Sequence, residues 1–290
     1  MSIEVRPISE AIGAEIVGVN LNQDVQEGEF QRILSAWHDH LVLLFRGQSI
    51  SDERLIEFSK RFRNLDLAPP GEAYNTGTNT PPGLPEITIL SNVVENGVPI
   101  GALSNMECVW HIDMTYNDKP PAGCLLYALE VPEERGKTGV SNMYQAYETL
   151  SDEMKLRIEP LIAVHDNSLS SAGTLRKGFK PVDDVTQTSG TRHPLVRTHP
   201  VTGRRALFLG RRQNQYVLGL SIEESDALLD ELWAHATKPE FAWHHRWAVG
   251  YLLLWDNRCI MHRRDSFPSS SRRILHRTQI QGDKPYLEAA

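Results

Sequence analysis

Apolar positions recur along this chain with two spacings, and each spacing marks a different kind of element. Ile3 to Ile8 and Ala14 to Val19 read as short β segments, split by Gly13 and closing on the turn-prone Asn20 and Asn22. From Gly28 to His40 the residues Phe30, Ile33, Leu34 and Trp37 fall at helical spacing, and Leu41 to Phe45 is an unbroken apolar run that suits a buried strand. Ser51 opens another helix through Ile56, Phe58 and Phe62. Further helices are predicted at Met143 to Leu150, Asp152 to Ile158 and Ile222 to Ala236, the last introduced by Ser221 and Glu224 in the arrangement of a capping box. From Trp243 onward the pattern is strand-like, with blocks at Trp247 to Trp255 and Ile274 to Ile280.

Between these elements lie three long irregular stretches. Residues 67–85 hold Pro69, Pro70, Pro81, Pro82 and Pro85, and residues 167–193 are rich in Ser, Gly, Thr and Lys. Long loops inside compact domains are usually functional, so these two and residues 93–106 are expected to shape a pocket, with 167–193 as a lid. No internal repeat is visible. Many short strands, with helices in the N-terminal part and in insertions, predict a mainly β chain with added helices on a sandwich or jelly-roll core. One domain is expected over residues 1–290.

Composition narrows the function. The 290 residues are 40% hydrophobic and 23% charged, which is ordinary for a globular protein. A net charge of −7 repels nucleic acid and anionic lipid, so an anionic ligand has to be drawn in by local arginines. The apolar runs are far shorter than the roughly 18 residues of a membrane span. The opening Met-Ser-Ile-Glu-Val-Arg lacks the blocks of a signal peptide, and a cytoplasmic location is expected. Cys108, Cys124 and Cys259 show no paired spacing and read as free thiols.

The candidate chemistry begins at Trp110-His111-Ile112-Asp113. On a strand or at its end, residues two apart share a face, so His111 and Asp113 are able to share one ion. Imidazole nitrogen with carboxylate oxygen suits Fe(II), Zn(II) or Mn(II), although a His and an Asp at this spacing often make only a structural hydrogen bond. Of the 11 histidines, His262 stands out because it follows the apolar strand Tyr251 to Trp255 and the turn-like Asp256-Asn257. Alone it reads as a core histidine; joined to the other two it completes a two-histidine, one-carboxylate set that leaves open positions on an octahedral iron. Arg273 and Arg277 lie four apart on a C-terminal strand and face the same way, either as a carboxylate trap or as a solvated basic edge. His244 and His245 are adjacent and point to opposite faces, and His38 and His40 sit near a helix end; neither pair reads as a metal site.

Taken together, Trp110 to Asp113, Trp255-Asp256-Asn257-Arg258 with His262, and Arg273 to Arg277 running into Gly282-Asp283-Lys284-Pro285 resemble the TauD/TfdA family of iron(II)- and 2-oxoglutarate-dependent dioxygenases. The resemblance covers nearly the whole chain. It implies a double-stranded β-helix, or jelly-roll, cupin-like core, with His111, Asp113 and His262 as catalytic iron ligands. It further implies that Thr138 and Arg273 hold the far carboxylate of 2-oxoglutarate, that Arg277 meets the anionic group of the substrate, and that Trp255 packs near the metal. Oxygen is the other cosubstrate, succinate and carbon dioxide are products, and the substrate is a small anionic organic acid such as a phenoxyalkanoate or a sulfonate. Homo-oligomers are implied by the same analogy.

The match has departures. Ala68 stands where taurine dioxygenases have a substrate-binding histidine, Glu107 where they have a pocket asparagine, and the usual Gly-Gly-Asp-Thr is Arg135-Gly136-Lys137-Thr138. These argue against taurine, and Asn92 to Gly97 looks more like the aryloxyalkanoate branch. The alternatives outside the class are a cupin-like isomerase or hydrolase that does not use 2-oxoglutarate, and an inactive binding protein of the same fold.

Overall fold

The computed structural model describes residues 3–69, 79–102, 105–170 and 173–288. Its larger sheet has seven strands in the order Glu4–Pro7, Ala14–Val17, Val42–Phe45, Leu252–Asp256, Gly123–Glu130, Ile274–Ile280 and Thr88–Ser91. All neighbours are antiparallel except Ala14–Val17 and Val42–Phe45. The smaller sheet has four antiparallel strands in the order Ala242–His245, Thr138–Asn142, Ile260–Arg264 and Cys108–His111.

Alternation along each strand of the larger sheet explains why both its faces are buried. Val42, Leu44, Cys124, Leu126, Leu253, Trp255 and Leu275 point to one side and join Val140, Ile112 and Met261 of the smaller sheet's region in one apolar cluster. Leu43, Phe45, Leu125, Tyr127, Leu252 and Leu254 point to the other side, where Phe30, Ile33 and Trp37 of helix Glu27–His40 and Leu55 and Phe58 of helix Asp52–Lys60 cover them. Two facing sheets with helices laid outside the larger one make the jelly-roll arrangement that the pattern predicts.

Helices Asp152–Ile158 and Ile222–Ala236 stand where the spacing predicts them, each capped by a serine, with the reciprocal Ser221 and Glu224 bonds of the capping box in place. The strand predicted over Trp247 to Trp255 is shorter, Leu252–Asp256, because residues 247–251 turn over Gln48. The stretches expected to be irregular contain structure. A small hairpin, Val94–Glu95 with Val98–Pro99, lies within 93–106. Strand Gly190–Pro194 pairs with Ile162–Asp166 at the end of 167–193; its Gly-Thr-Arg-His-Pro sequence has no apolar alternation to announce it. Residues 70–78, 103–104 and 171–172, which the expected loops include, lie outside the described residues.

Candidate active site

His111 ends strand Cys108–His111, and His262 lies in the middle of Ile260–Arg264, directly opposite it in the antiparallel register. The two rings are 4.2 Å apart between centroids. Asp113, two residues past His111, brings Oδ1 within 3.6 Å of His111 Nε2 and Oδ2 within 3.9 Å of His262 Nε2. One donor atom from each of the three lies within 4.8 Å of the others. The Nδ1 of His111 sits 2.6 Å from the Val109 carbonyl, which only accepts, so Nδ1 carries the proton and Nε2 turns its lone pair to the cavity.

The charges here are tightly arranged. Burial alone would raise the Asp113 carboxyl, but Arg277, His262 and His111 together hold it well below the usual carboxylate range. Arg277 Nη1 donates to Asp113 Oδ2 at 3.0 Å, and the buried Cys124 thiol approaches the same oxygen at 3.6 Å. Burial, then the neighbouring His111, pushes the His262 imidazole down to about 3, which keeps it neutral and available as a ligand. The Trp255 ring packs against His262 at 5.0 Å, as expected.

A cavity of about 60 Å³ is lined by His111, Asp113, His262, Thr138, Arg273 and Arg277, so the six candidate residues converge. Arg273 and Arg277 do not act as one trap, however. Arg277 is engaged with Asp113, whereas Arg273 is 3% exposed and, among the described residues, has no acidic partner; its Nε is buried without any acceptor. Burial, with help from Arg264, pushes its guanidinium down to about 9. The Arg273 backbone is pinned by its N–H donating to Asn92 Oδ1 at 3.0 Å. Thr138 Oγ1 accepts from Trp247 Nε1 at 3.0 Å, which leaves the hydroxyl proton to donate into the cavity. Glu107, the departure noted above, pairs with Arg263 at 2.5 Å.

One residue at the site carried no assigned role in the sequence reading. Asn257 is fully buried; its Oδ1 accepts from the Asp113 N–H, and its Nδ2 donates to the Asp113 and Pro121 carbonyls, each at 3.0 Å. Its only sequence signal is the turn after Trp255, which says nothing about a bond across 144 residues. Beside it His199, Asp256 and Cys259 also cluster. Arg258 holds both Asp256 oxygens at 2.8 and 2.6 Å and His199 Nε2 a further bond at 3.1 Å, while His199 Nδ1 accepts from the Val201 and Thr202 N–H groups. With both ring nitrogens used, that cluster is a structural network.

The profile of the family described as "Taurine catabolism dioxygenase TauD, TfdA family" matches residues 4–279. This chain belongs to the TauD/TfdA family. It is 30% identical to the (S)-phenoxypropionate/alpha-ketoglutarate-dioxygenase of Sphingobium herbicidovorans, over 100% of this chain and 98% of that one. It is 31% identical to the alpha-ketoglutarate-dependent 2,4-dichlorophenoxyacetate dioxygenase of Cupriavidus pinatubonensis, over 98% of this chain and 99% of that one. Among solved structures, AAD-2 in complex with Mn(II) and N-oxalylglycine superposes with a TM-score of 0.77 at 29% identity, covering 98% of this chain and 99% of that one. As a TauD/TfdA protein the chain is a 2-oxoglutarate-dependent dioxygenase with a jelly-roll core. No helix among the described residues is long and apolar enough to cross a membrane.

Proposed function

We propose that His111, Asp113 and His262 hold Fe(II), that Arg273 and Thr138 hold the far carboxylate of 2-oxoglutarate, and that Arg277 faces the acidic group of a small organic acid whose C–H bond is hydroxylated. The observation that carries this reading is the convergence of two imidazole nitrogens and one carboxylate on a cavity that also contains a guanidinium with no acidic partner among the described residues.

The donor set fits the metal. Two Nε2 lone pairs and one carboxylate oxygen leave half of an octahedral shell for cosubstrates. The orphaned Nε of Arg273 fits a carboxylate, because a buried guanidinium without a counter-charge is costly and a bidentate acid removes that cost. It also argues against a cupin-like enzyme that does not use 2-oxoglutarate. When bound, iron with 2-oxoglutarate and oxygen supplies the oxidising power, and the cosubstrate leaves as succinate and carbon dioxide.

The chain's own residues bind, orient and exclude water. Val109 fixes the ring of His111, Asn257 fixes the backbone of Asp113, and Trp255 covers one side of His262. Arg277 neutralises Asp113 and keeps that carboxylate from drawing a proton. The buried walls keep the reaction from bulk solvent. The relatives named above act on phenoxypropionate and 2,4-dichlorophenoxyacetate, which supports a phenoxyalkanoate-like acid here. A cytoplasmic enzyme acting as a homo-oligomer on a diffusible acid completes the reading by analogy with the family.

The test is succinate release by anaerobically purified protein given Fe(II), 2-oxoglutarate and air, with a panel of phenoxyalkanoates, sulfonates and other organic acids. Release that rises with one panel member and vanishes in His111→Ala is the expected result. Failure of 2-oxoglutarate to bind in the presence of Fe(II) would overturn the reading and favour the cupin-like alternative.

A further inference from the structure

Past Asp113 the chain continues through Met114 and Thr115 to Tyr116, and the ring of Tyr116 carries two guanidinium groups. Arg176 lies 4.3 Å from its centroid and donates to its hydroxyl at 2.6 Å; Arg211 lies 5.0 Å from the same centroid. Arg211 is 8% exposed, donates from Nη1 to the Leu169 carbonyl at 2.7 Å, and has a buried Nε with no acceptor. Arg176 reaches the Asn167 carbonyl at 3.4 Å, and its Nε is buried and unpartnered as well. Among the described residues no carboxylate pairs with either one.

The position of Arg211 is tied to the metal candidates. Ile112, between His111 and Asp113, donates its N–H to the Gly210 carbonyl at 2.9 Å, and Arg211 is the next residue. Gly210 has φ +68°, and a Cβ there would lie 2.1 Å from His165 Nδ1, so the close approach requires glycine. Arg176 comes from a different part of the chain, the segment expected to act as a lid.

Two guanidinium groups sharing one ring repel each other, and Arg211 has lost its water while Arg176 has lost it at Nε. The face of an aromatic ring offsets this only in part. An acid placed beside them supplies the acceptor each lacks. Neither Arg273, which the reading above gives to the cosubstrate, nor Arg277, which is bound to Asp113, belongs to this group.

We propose that Arg176, Arg211 and Tyr116 form a second anion subsite for the primary substrate, distinct from Arg277, so that the preferred substrate is an organic acid with a second anionic group. The inference rests on the dioxygenase reading for which ligand is the primary substrate. The chemistry at the subsite is that of a carboxylate, sulfate or phosphonate oxygen.

The test is calorimetric titration of the anaerobic Fe(II) protein, with 2-oxoglutarate saturating so that Arg273 is occupied. The probes are straight-chain α,ω-dicarboxylates of increasing length and the monocarboxylates that match them. The expected result is a chain length at which the diacid binds at least tenfold more tightly than its monoacid. Arg211→Gln abolishes that advantage, Arg211→Lys restores part of it, and the monoacid affinity stays unchanged. Arg176→Gln reduces it less. Thermal melts of each variant check that the fold is kept. No length favouring the diacid, or an equal loss for diacid and monoacid in Arg211→Gln, overturns the proposal. Failure of Fe(II) or 2-oxoglutarate to bind the wild-type protein counts instead against the dioxygenase reading, and diacid binding that is sensitive to Arg211→Gln would then still uphold an anion site.

Discussion

Asn257 clamps Asp113 by its backbone, taking the N–H with one amide atom and the carbonyl with the other, both at 3.0 Å. The side chain of Asp113 is thereby aimed by a residue from the turn that joins the two sheets. A third bond, to Pro121, fixes the amide itself.

Asn257→Ala should therefore lower Fe(II) affinity by roughly 10- to 100-fold, the usual effect of losing a partner that orients a ligand. It also leaves three buried backbone groups unpaired, the Asp113 N–H and the Asp113 and Pro121 carbonyls, so stability should fall by about 3 kcal/mol. Anaerobic metal titration and urea melts check the two parts separately, and 2-oxoglutarate contacts at Arg273 should be spared.

Arg273→Met should separate stability from function. Removing a buried charge without a partner should be neutral or stabilising by about 1–3 kcal/mol, while 2-oxoglutarate affinity drops by at least ~30-fold. A variant with a lower melting temperature and normal cosubstrate binding would contradict the assignment.

His245 gives a pH prediction. Burial, then the charge of Arg46, pushes its imidazole from the usual 6.5 down to about 3, and its Nε2 has no partner. Between those values the unfolded chain takes up a proton that the folded one refuses. The stability present above pH 6.5 is therefore lost as the pH falls toward 3, by about 1.4 kcal/mol per unit for this group. His245→Phe, which keeps an aromatic ring beside Trp247, should flatten the slope of unfolding free energy against pH by that amount.

Gly210→Ala should cost about 3 kcal/mol, because the new methyl meets the buried His165 ring and the backbone there is left-handed. Ile112 hangs on the Gly210 carbonyl, so metal affinity should fall as well. Differential scanning calorimetry and metal titration read the two effects.

The local signals in the chain were legible. The capping box at Ser221, the apolar run ending at Phe45 and the His111-Ile112-Asp113 spacing each depend on neighbours in sequence, and each stands in the structure as read. The residues themselves singled out His262 as a third member, and the resemblance to the family supplied what they could not, namely the roles of Thr138 and Arg273 beside them. Three things escaped both. Strand Gly190–Pro194 is polar and half exposed, so no hydrophobic period marks it. The role of Asn257 is a tertiary hydrogen bond, and the engagement of Arg277 with Asp113 joins residues 164 apart in the chain, which neither spacing nor the resemblance carries.

The turn between Leu252–Asp256 and Ile260–Arg264 has a kinetic consequence. Trp255, Asn257 and His262 all lie on this one strand-turn-strand connection, which belongs to the larger sheet through its first strand and to the smaller through its second. Its partners around Asp113 are 144 residues away in the chain, so the long loop must close before the connection meets them. The capacity to capture metal should thus arise only when strand Ile260–Arg264 pairs with Cys108–His111 in the smaller sheet, a contact of high sequence separation. During refolding, metal uptake should lag behind the recovery of helix and strand signals, and the moment of capture marks the arrival of the native topology.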